Sequence, residues 1–226
     1  MKILALDTST EACSAALLID SKMYSRYAIE PRQHAKLILP MLEEVLTEAN
    51  VALTDLDALA FGCGPGSFTG VRIATATAQG IAASANLAVI PISSLAAIAQ
   101  RAVDEKNVDN IACAIDARMS EVYWGCYRRN NEGRVELEGK ECVIAPHAVP
   151  LPQDADWTGA GTGWSAYEKQ LTSRMGSALT GFQAGLLPNA MAIAKLASVS
   201  FLRGKTRPAE QAIPVYLRNQ VAHKPT

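Results

Sequence analysis

The sequence predicts an α/β fold built from two similar lobes, and three observations carry that reading. An apolar run ending in aspartate, Leu4-Ala5-Leu6-Asp7, returns as Cys113-Ala114-Ile115-Asp116. Each copy leads through a polar turn and a glutamate, Glu11 or Glu121, into a second apolar strand, so each half opens with the same meander. Between them, Phe61 to Ile73 reads Phe-Gly-Cys-Gly-Pro-Gly-Ser-Phe-Thr-Gly-Val-Arg-Ile, which spells strand, glycine loop, helix. With 226 residues, 49% hydrophobic and 19% charged, the chain has material for one or two real cores.

Taken in order, Ile3 to Asp7, Ala12 to Ile19 and Met23 to Ile29 form three antiparallel strands separated by polar breaks. Pro31 precedes a helix over 34–49, in which Ile38, Leu42, Val45 and Ala49 follow helical spacing toward the sheet. Leu37 and Met41 lie off that stripe. Surplus apolar side chains of this kind serve either a partner, at roughly 1.5 to 3 kcal/mol each, or a wider contact within the chain. The strand 56–61 and the glycine loop lead to a helix over 70–85 made of Ala, Thr, Gly and Ser, whose small side chains admit close approach by another helix. A strand over 87–92 and a helix from Ser94 to about Val103 complete a first unit, 1–104, and the charged stretch Asp104 to Asp109 leads to a second, 105–226. That unit adds a third strand over 135–143, a loop over Gly159 to Gly163 ahead of a helix over 166–174, a helix capped by Asn189 and running to about Leu202, and an extended tail over 212–218.

The glycine loop is the main chemical candidate. Gly62, Gly64, Gly66 and Gly70 permit close backbone approach, Pro65 fixes one φ, and Ser67 or Thr69 can cap the helix that follows. A Walker loop would require Gly-Lys-Ser/Thr where Gly70-Val71-Arg72 stands, and the dinucleotide fingerprint would require glycine where Ser67 or Thr69 stands. The loop therefore reads as a tight turn packing helix on strand, with anion binding the alternative.

Bulk charge excludes other classes. A formal net charge of -1 and a pI near 6.3 leave no basic footprint for strong nucleic-acid binding by this chain alone. Arg203, Lys205, Arg207 and Arg218 form a modest basic cluster, either a solvated rim or an aid in positioning RNA. The five cysteines never stand as Cys-x-x-Cys and read as reduced core residues of a cytoplasmic protein. The uncharged stretch between Arg72 and Arg101 is broken throughout by Thr, Gln, Ser, Asn and Pro, which argues against a membrane span.

The paired meanders suggest the two-lobed actin-like fold shared by actin, sugar kinases and heat-shock ATPases, with duplicated ribonuclease-H-like lobes of mixed sheets flanked by helices. In that superfamily the turn after each first strand grips phosphates with glycines. Here the turns read Asp7-Thr8-Ser9-Thr10 and Asp116-Ala117-Arg118-Met119, so Asp7, Glu11 and Asp116 mark a vestigial cleft, with the aspartates structural. The string Gly-x-Gly-Pro-Gly-Ser-Phe-Thr-Gly-Val-Arg-Ile, together with Lys2 to Ser14, Ala114 to Trp124 and Pro214 to Asn219, resembles the bacterial TsaB (YeaZ) family along the whole chain.

That resemblance implies a non-catalytic subunit with no cofactor. It would bind TsaD as a heterodimer, join the ATPase TsaE in a larger complex, and meet tRNA only there. TsaD would transfer the threonylcarbamoyl group to N6 of the adenosine beside the anticodon in tRNAs reading ANN codons. Docking would use the helices over 34–49 and 70–85, with Leu37, Met41, Thr75, Ala76, Gln79 and Gly80 at the contact, and a homodimer could form through the same helices. TsaD carries a His-x-x-x-His metal pair where Ser94 and Ile98 stand here, and His34, His147 and His223 read as scattered surface residues, so no metal site is expected. The rival readings are an ATP-dependent acyl or sugar kinase and a metallopeptidase.

Overall fold

The computed structural model describes residues 1–154 and 156–218, so Asn219 and His223 lie outside the described residues. The first sheet contains β1 (Lys2–Asp7), β2 (Ala12–Ile19), β3 (Lys22–Ile29), β4 (Ala58–Gly64) and β5 (Ala88–Ser93) in the order β3-β2-β1-β4-β5. The second contains β6 (Asn110–Asp116), β7 (Val122–Arg129), β8 (Val135–Ile144), β9 (Trp157–Gly161) and β10 (Leu179–Ala184) in the order β8-β7-β6-β9-β10. In both, the first three strands are antiparallel neighbours and the first, fourth and fifth run parallel. The duplication seen in two short apolar runs thus extends to ten strands.

β9 and β10 are absent from the sequence reading. Gly159 to Gly163, expected as a loop, instead forms the end of β9 and the start of a short helix, α4 (Thr162–Ala166). The reason is Trp164. A Cβ on Gly159 would stand 2.4 Å from its ring, so glycine lets the indole lie against the strand. After Trp157 the strand carries only threonine, glycine and alanine, which hides it from any hydropathy pattern.

The remaining helices are α1 (His34–Ala49), α2 (Phe68–Ala85), α3 (Ser94–Lys106), α5 (Glu168–Met175) and α6 (Ala190–Leu202). One face of the first sheet buries Leu4, Leu6, Leu17, Leu59 and Phe61 beneath α1 and α2. Its other face, including Ile3, Ala5, Ala60 and Ile90, is covered by Ala190, Ile193 and Ala197 of α6. The second sheet places Ile111, Cys113 and Ile115 against Leu95, Ile98 and Ala102 of α3, and Trp124 and Trp157 against Trp164, Leu171 and Met175 of α4 and α5.

The layers therefore run helix, sheet, helix, sheet, helix, and the central layer is exchanged. α3 follows the first sheet in sequence but packs on the second, while α6 follows the second and packs on the first. A division at 104/105 separates the sheets without separating the helices. Of the charged stretch Asp104 to Asp109, the first half to Lys106 is the last turn of α3, where Asp104 accepts from Lys195 Nζ of α6 at 2.8 Å and from Gln100 at 3.1 Å, and only 107–109 connect to β6.

Candidate functional site

The C-terminal ends of β1 and β6 bring the two meander turns to opposite sides of a cavity of about 850 Å³ between the lobes. On the first side, Asp7 is fully buried, and its Oδ1 accepts from the Ser9 backbone N–H at 3.1 Å. The Ser9 hydroxyl also donates to this carboxylate, at 3.0 Å, and in turn accepts from Ser94 Oγ at 2.8 Å. Burial pushes the Asp7 carboxyl up to about 7, while the Ser9 bonds pull the other way. Asp7 is spent on folding its own turn.

The glycine loop closes on that turn from above. Gly62 and Gly64, expected within the loop, lie in β4, and the loop proper begins at Pro65. A Cβ on Gly62 would lie 1.8 Å from Asp7 Oδ2, one on Gly66 2.2 Å from the Ser9 carbonyl, and one on Gly70 2.0 Å from the Thr8 carbonyl. The Ser67 N–H donates to Ser9 O at 2.7 Å, Thr8 Oγ1 donates to Gly70 O at 2.6 Å, and Ser67 Oγ caps α2 by accepting from Gly70 N at 3.0 Å. The Ser67 N–H, the Thr8 hydroxyl and the Gly70 N–H are thus engaged within the protein, and the glycines serve a backbone-to-backbone approach. Thr69 is exposed and takes no part in the cap.

On the opposite side, Asp116 accepts from the Arg118 N–H at 2.8 Å and from the Tyr167 hydroxyl at 3.3 Å. Arg118, Met119 and Ser120 have φ of 60°, 54° and 59°. This is the left-handed backbone that glycine normally serves, at roughly 1 to 2 kcal/mol per L-residue. The turn holds this backbone without glycine. The tail holds it: Arg218 donates to Ala117 O at 3.0 Å and pairs with Glu121, and Val215 N donates to Cys63 O at 2.8 Å. Outside the cavity, Arg72 lies 3.5 Å over the Phe68 ring and donates from Nε to the Tyr216 hydroxyl at 2.9 Å. Glu11 is exposed at the rim.

The α1 and α2 surface is separate. Beside it runs a groove of about 630 Å³ lined by Leu39, Leu42 and Leu46 of α1, Ile81 of α2 and the connection over 50–55. Ala76, Gln79 and Gly80 are exposed on α2, and Leu37 is half-buried on α1. A Cβ at Gly80 would meet nothing within 4 Å. No contact within the chain requires glycine there, although glycine inside a helix costs roughly 0.5–1 kcal/mol relative to alanine.

Residues 28–226 match the family model described as TsaD, tRNA N6-adenosine threonylcarbamoyltransferase. The tRNA threonylcarbamoyladenosine biosynthesis protein TsaB of Escherichia coli (strain K12) is 44% identical over 99% of this chain and 97% of its own length. The chain belongs to the TsaB family. The Haemophilus influenzae TsaB is 42% identical over 99% of this chain and 96% of its own. The solved structure described as YeaZ from Pseudomonas aeruginosa superposes with a TM-score of 0.90 at 50% identity, covering 96% of this chain and 99% of that one.

In this TsaB-family chain the structure corrects several expected sites. Met41 is 9% exposed because the buried stripe of α1 is His34, Ile38, Met41, Leu42 and Val45, one turn wider than the sequence reading drew it. Thr75 is 7% exposed, and its hydroxyl donates back to Val71 O at 2.8 Å. Both side chains are buried within the chain, whereas Leu39, outside the expected set, is 55% exposed. His34, read as a surface residue, is buried at the start of α1, and Nε2 has no partner. Ser94 is buried in the Asp7 chain of hydrogen bonds and Ile98 in the α3 core, where the metal pair would stand. Arg218 has left the expected basic cluster for the cavity.

Proposed function

We propose that this chain is a non-catalytic partner subunit in the formation of N6-threonylcarbamoyladenosine in tRNA. It binds and supports TsaD, which transfers the threonylcarbamoyl group to the adenosine beside the anticodon of tRNAs reading ANN codons. TsaE joins the pair in a larger, ATP-dependent complex, tRNA is met there and not by this chain alone, and the setting is cytoplasmic. The partner-binding helices belong to the unit 1–104, and the unit 105–226 is the degenerate one. In the absence of TsaD the same helices form a homodimer.

The observation that carries the reading is Gly80, an exposed mid-helix glycine with no steric use inside the chain, next to exposed Ala76 and an apolar groove. Helices can approach closely only over such small residues, and Leu37 and Leu39 add apolar area beside them. The cavity between the lobes supports a helper, rather than catalytic, role. Asp7, Ser9 and Ser94 bond one another, and the glycine loop packs on Thr8 and Ser9.

The test is a bulky residue on α2. Gly80→Trp and Ala76→Trp are expected to weaken the complex with TsaD by about a hundredfold, roughly 3 kcal/mol. Because the added side chains project into open space, the thermal melt of the variant alone should stay within a few degrees of the parent. Co-elution of either variant with TsaD at the parental concentration would refute the docking face. Threonylcarbamoyl transfer to tRNA by the chain alone would refute the supporting role.

A further inference from the structure

On the side of the molecule formed by α6 and the β7–β8 hairpin lies a third cavity, of about 210 Å³. It is lined by Ser93 and Ala96 at the start of α3, by Asn130, Arg134 and Glu136 of the hairpin, and by Ser200, Arg203 and Lys205 at the end of α6. Arg134 is the anomaly. Its Nε is buried and has no hydrogen-bond partner, and among the described residues no carboxylate pairs with Arg134, Arg203 or Lys205. A buried guanidinium N–H without an acceptor is destabilising, and an acceptor bound beside it would relieve that.

The surroundings hold this arginine in place. Gln100, fully buried on α3, donates to Gly133 O at 3.0 Å and accepts from Val135 N at 3.1 Å, pinning the backbone on both sides of Arg134. Asn130 Oδ1 accepts from Arg134 N at 3.0 Å. Across the cavity, α6 ends in a turn in which Gly204 has φ 66° and the Lys205 N–H donates to Ser200 O at 2.8 Å, fixing Arg203 and Lys205 on either side of Gly204 at the rim. Glu136 is the one acid in the lining, and its Oε1 accepts from Asn130 Nδ2 at 2.9 Å.

We infer that this cavity is a binding site for a single phosphate group, held by Arg134, Arg203 and Lys205. The volume lies below the roughly 300 Å³ at which sites for whole small molecules begin, so one anionic group fits and a nucleotide does not. A polymer can place one phosphate there while its bases and sugars stay outside, which favours the RNA backbone as the source. That choice rests on the proposed role in tRNA modification. One such contact is compatible with the net charge of -1, because it adds to tRNA affinity in a complex without sufficing for it alone. It also regroups the cations: Arg134 joins Arg203 and Lys205, and Arg218 does not.

The test follows the Arg134 Nε–Hε resonance of the full-length chain by NMR during titration with inorganic phosphate, and separately with an unmodified tRNA transcript, at constant ionic strength. A saturable shift with both probes is expected, weakened roughly tenfold in the exposed double variant Arg203→Ala/Lys205→Ala. In the TsaD complex, Arg134→Lys should lower tRNA affinity, and Arg134→Ala should reduce the slope of log affinity against log salt by about 1. A response to phosphate alone would keep the anion site and overturn RNA as its source. No response to either probe would overturn the site. Co-elution with TsaD, scored on the same variants, reads the docking face independently, so failure of one reading is not mistaken for failure of the other.

Discussion

Asparagine in place of Asp7 is expected to stabilise the protein above neutral pH and to flatten its dependence on pH. Among the described residues the buried carboxyl has no cationic partner, and its value rises from 3.8 to about 7 on folding. A raised acid binds its proton more tightly in the folded state, so its contribution to stability is fully present below about 4 and is lost as pH rises through about 7. At about 1.4 kcal/mol per unit over about three units, the loss is about 4 kcal/mol by pH 8. Asparagine keeps an acceptor for Ser9 N and removes the charge. Glu141, also raised by burial, contributes a slope of the same sign in both proteins, so the difference between them isolates Asp7. Urea unfolding at pH 5 and pH 8 is the measurement, and parallel slopes for parent and Asp7→Asn would defeat the prediction.

The second large effect is expected at Trp164, whose removal should melt the outer half of the second lobe. The indole is fully buried, donates from Nε1 to Ala112 O at 2.9 Å, stacks on Phe182 with centroids 5.5 Å apart, and fills the space left by Gly159. Trp164→Ala should cost about 3–5 kcal/mol, which for a chain of this size lowers the melting temperature by about 10 °C. The α1 and α2 surface lies beyond the first sheet from this cluster, so binding to TsaD at low temperature should persist. A melting temperature within roughly 2 °C of the parent, a shift worth less than about 1 kcal/mol, would show that the cluster relaxes around the cavity.

How much of this was legible follows from the kind of interaction involved. The meander strands alternate or bury whole apolar runs, and the Ser67 cap sits next to the helix it begins, so both are written in neighbouring residues. The small-residue character of α2 was equally visible, and Ala76 and Gly80 came out on the surface as expected. Met41 and Thr75 did not, because the width of a buried stripe depends on the curvature of the sheet it covers, not on the helix alone. β9 escaped notice because it is defined by its parallel neighbours β6 and β10 and by a tryptophan that needs bare backbone to lie on. His34 looked like a surface residue because nothing local reveals that the start of α1 is covered.

The amino-acid order alone determined the duplicated strand units, the glycine turn and the absence of glycine from both cleft turns, because these depend on side-chain size and local conformational preference. Only the tertiary structure decided that α3 and α6 change places between the sheets, that Arg118 to Ser120 hold a left-handed turn without glycine, and that Arg134 lines one cavity with Arg203 and Lys205. Those features arise from contacts between segments far apart in sequence, as in the bond from the Ala190 N–H to Ser14 Oγ with its separation of 176, where the chain's path and not its local pattern sets which groups meet.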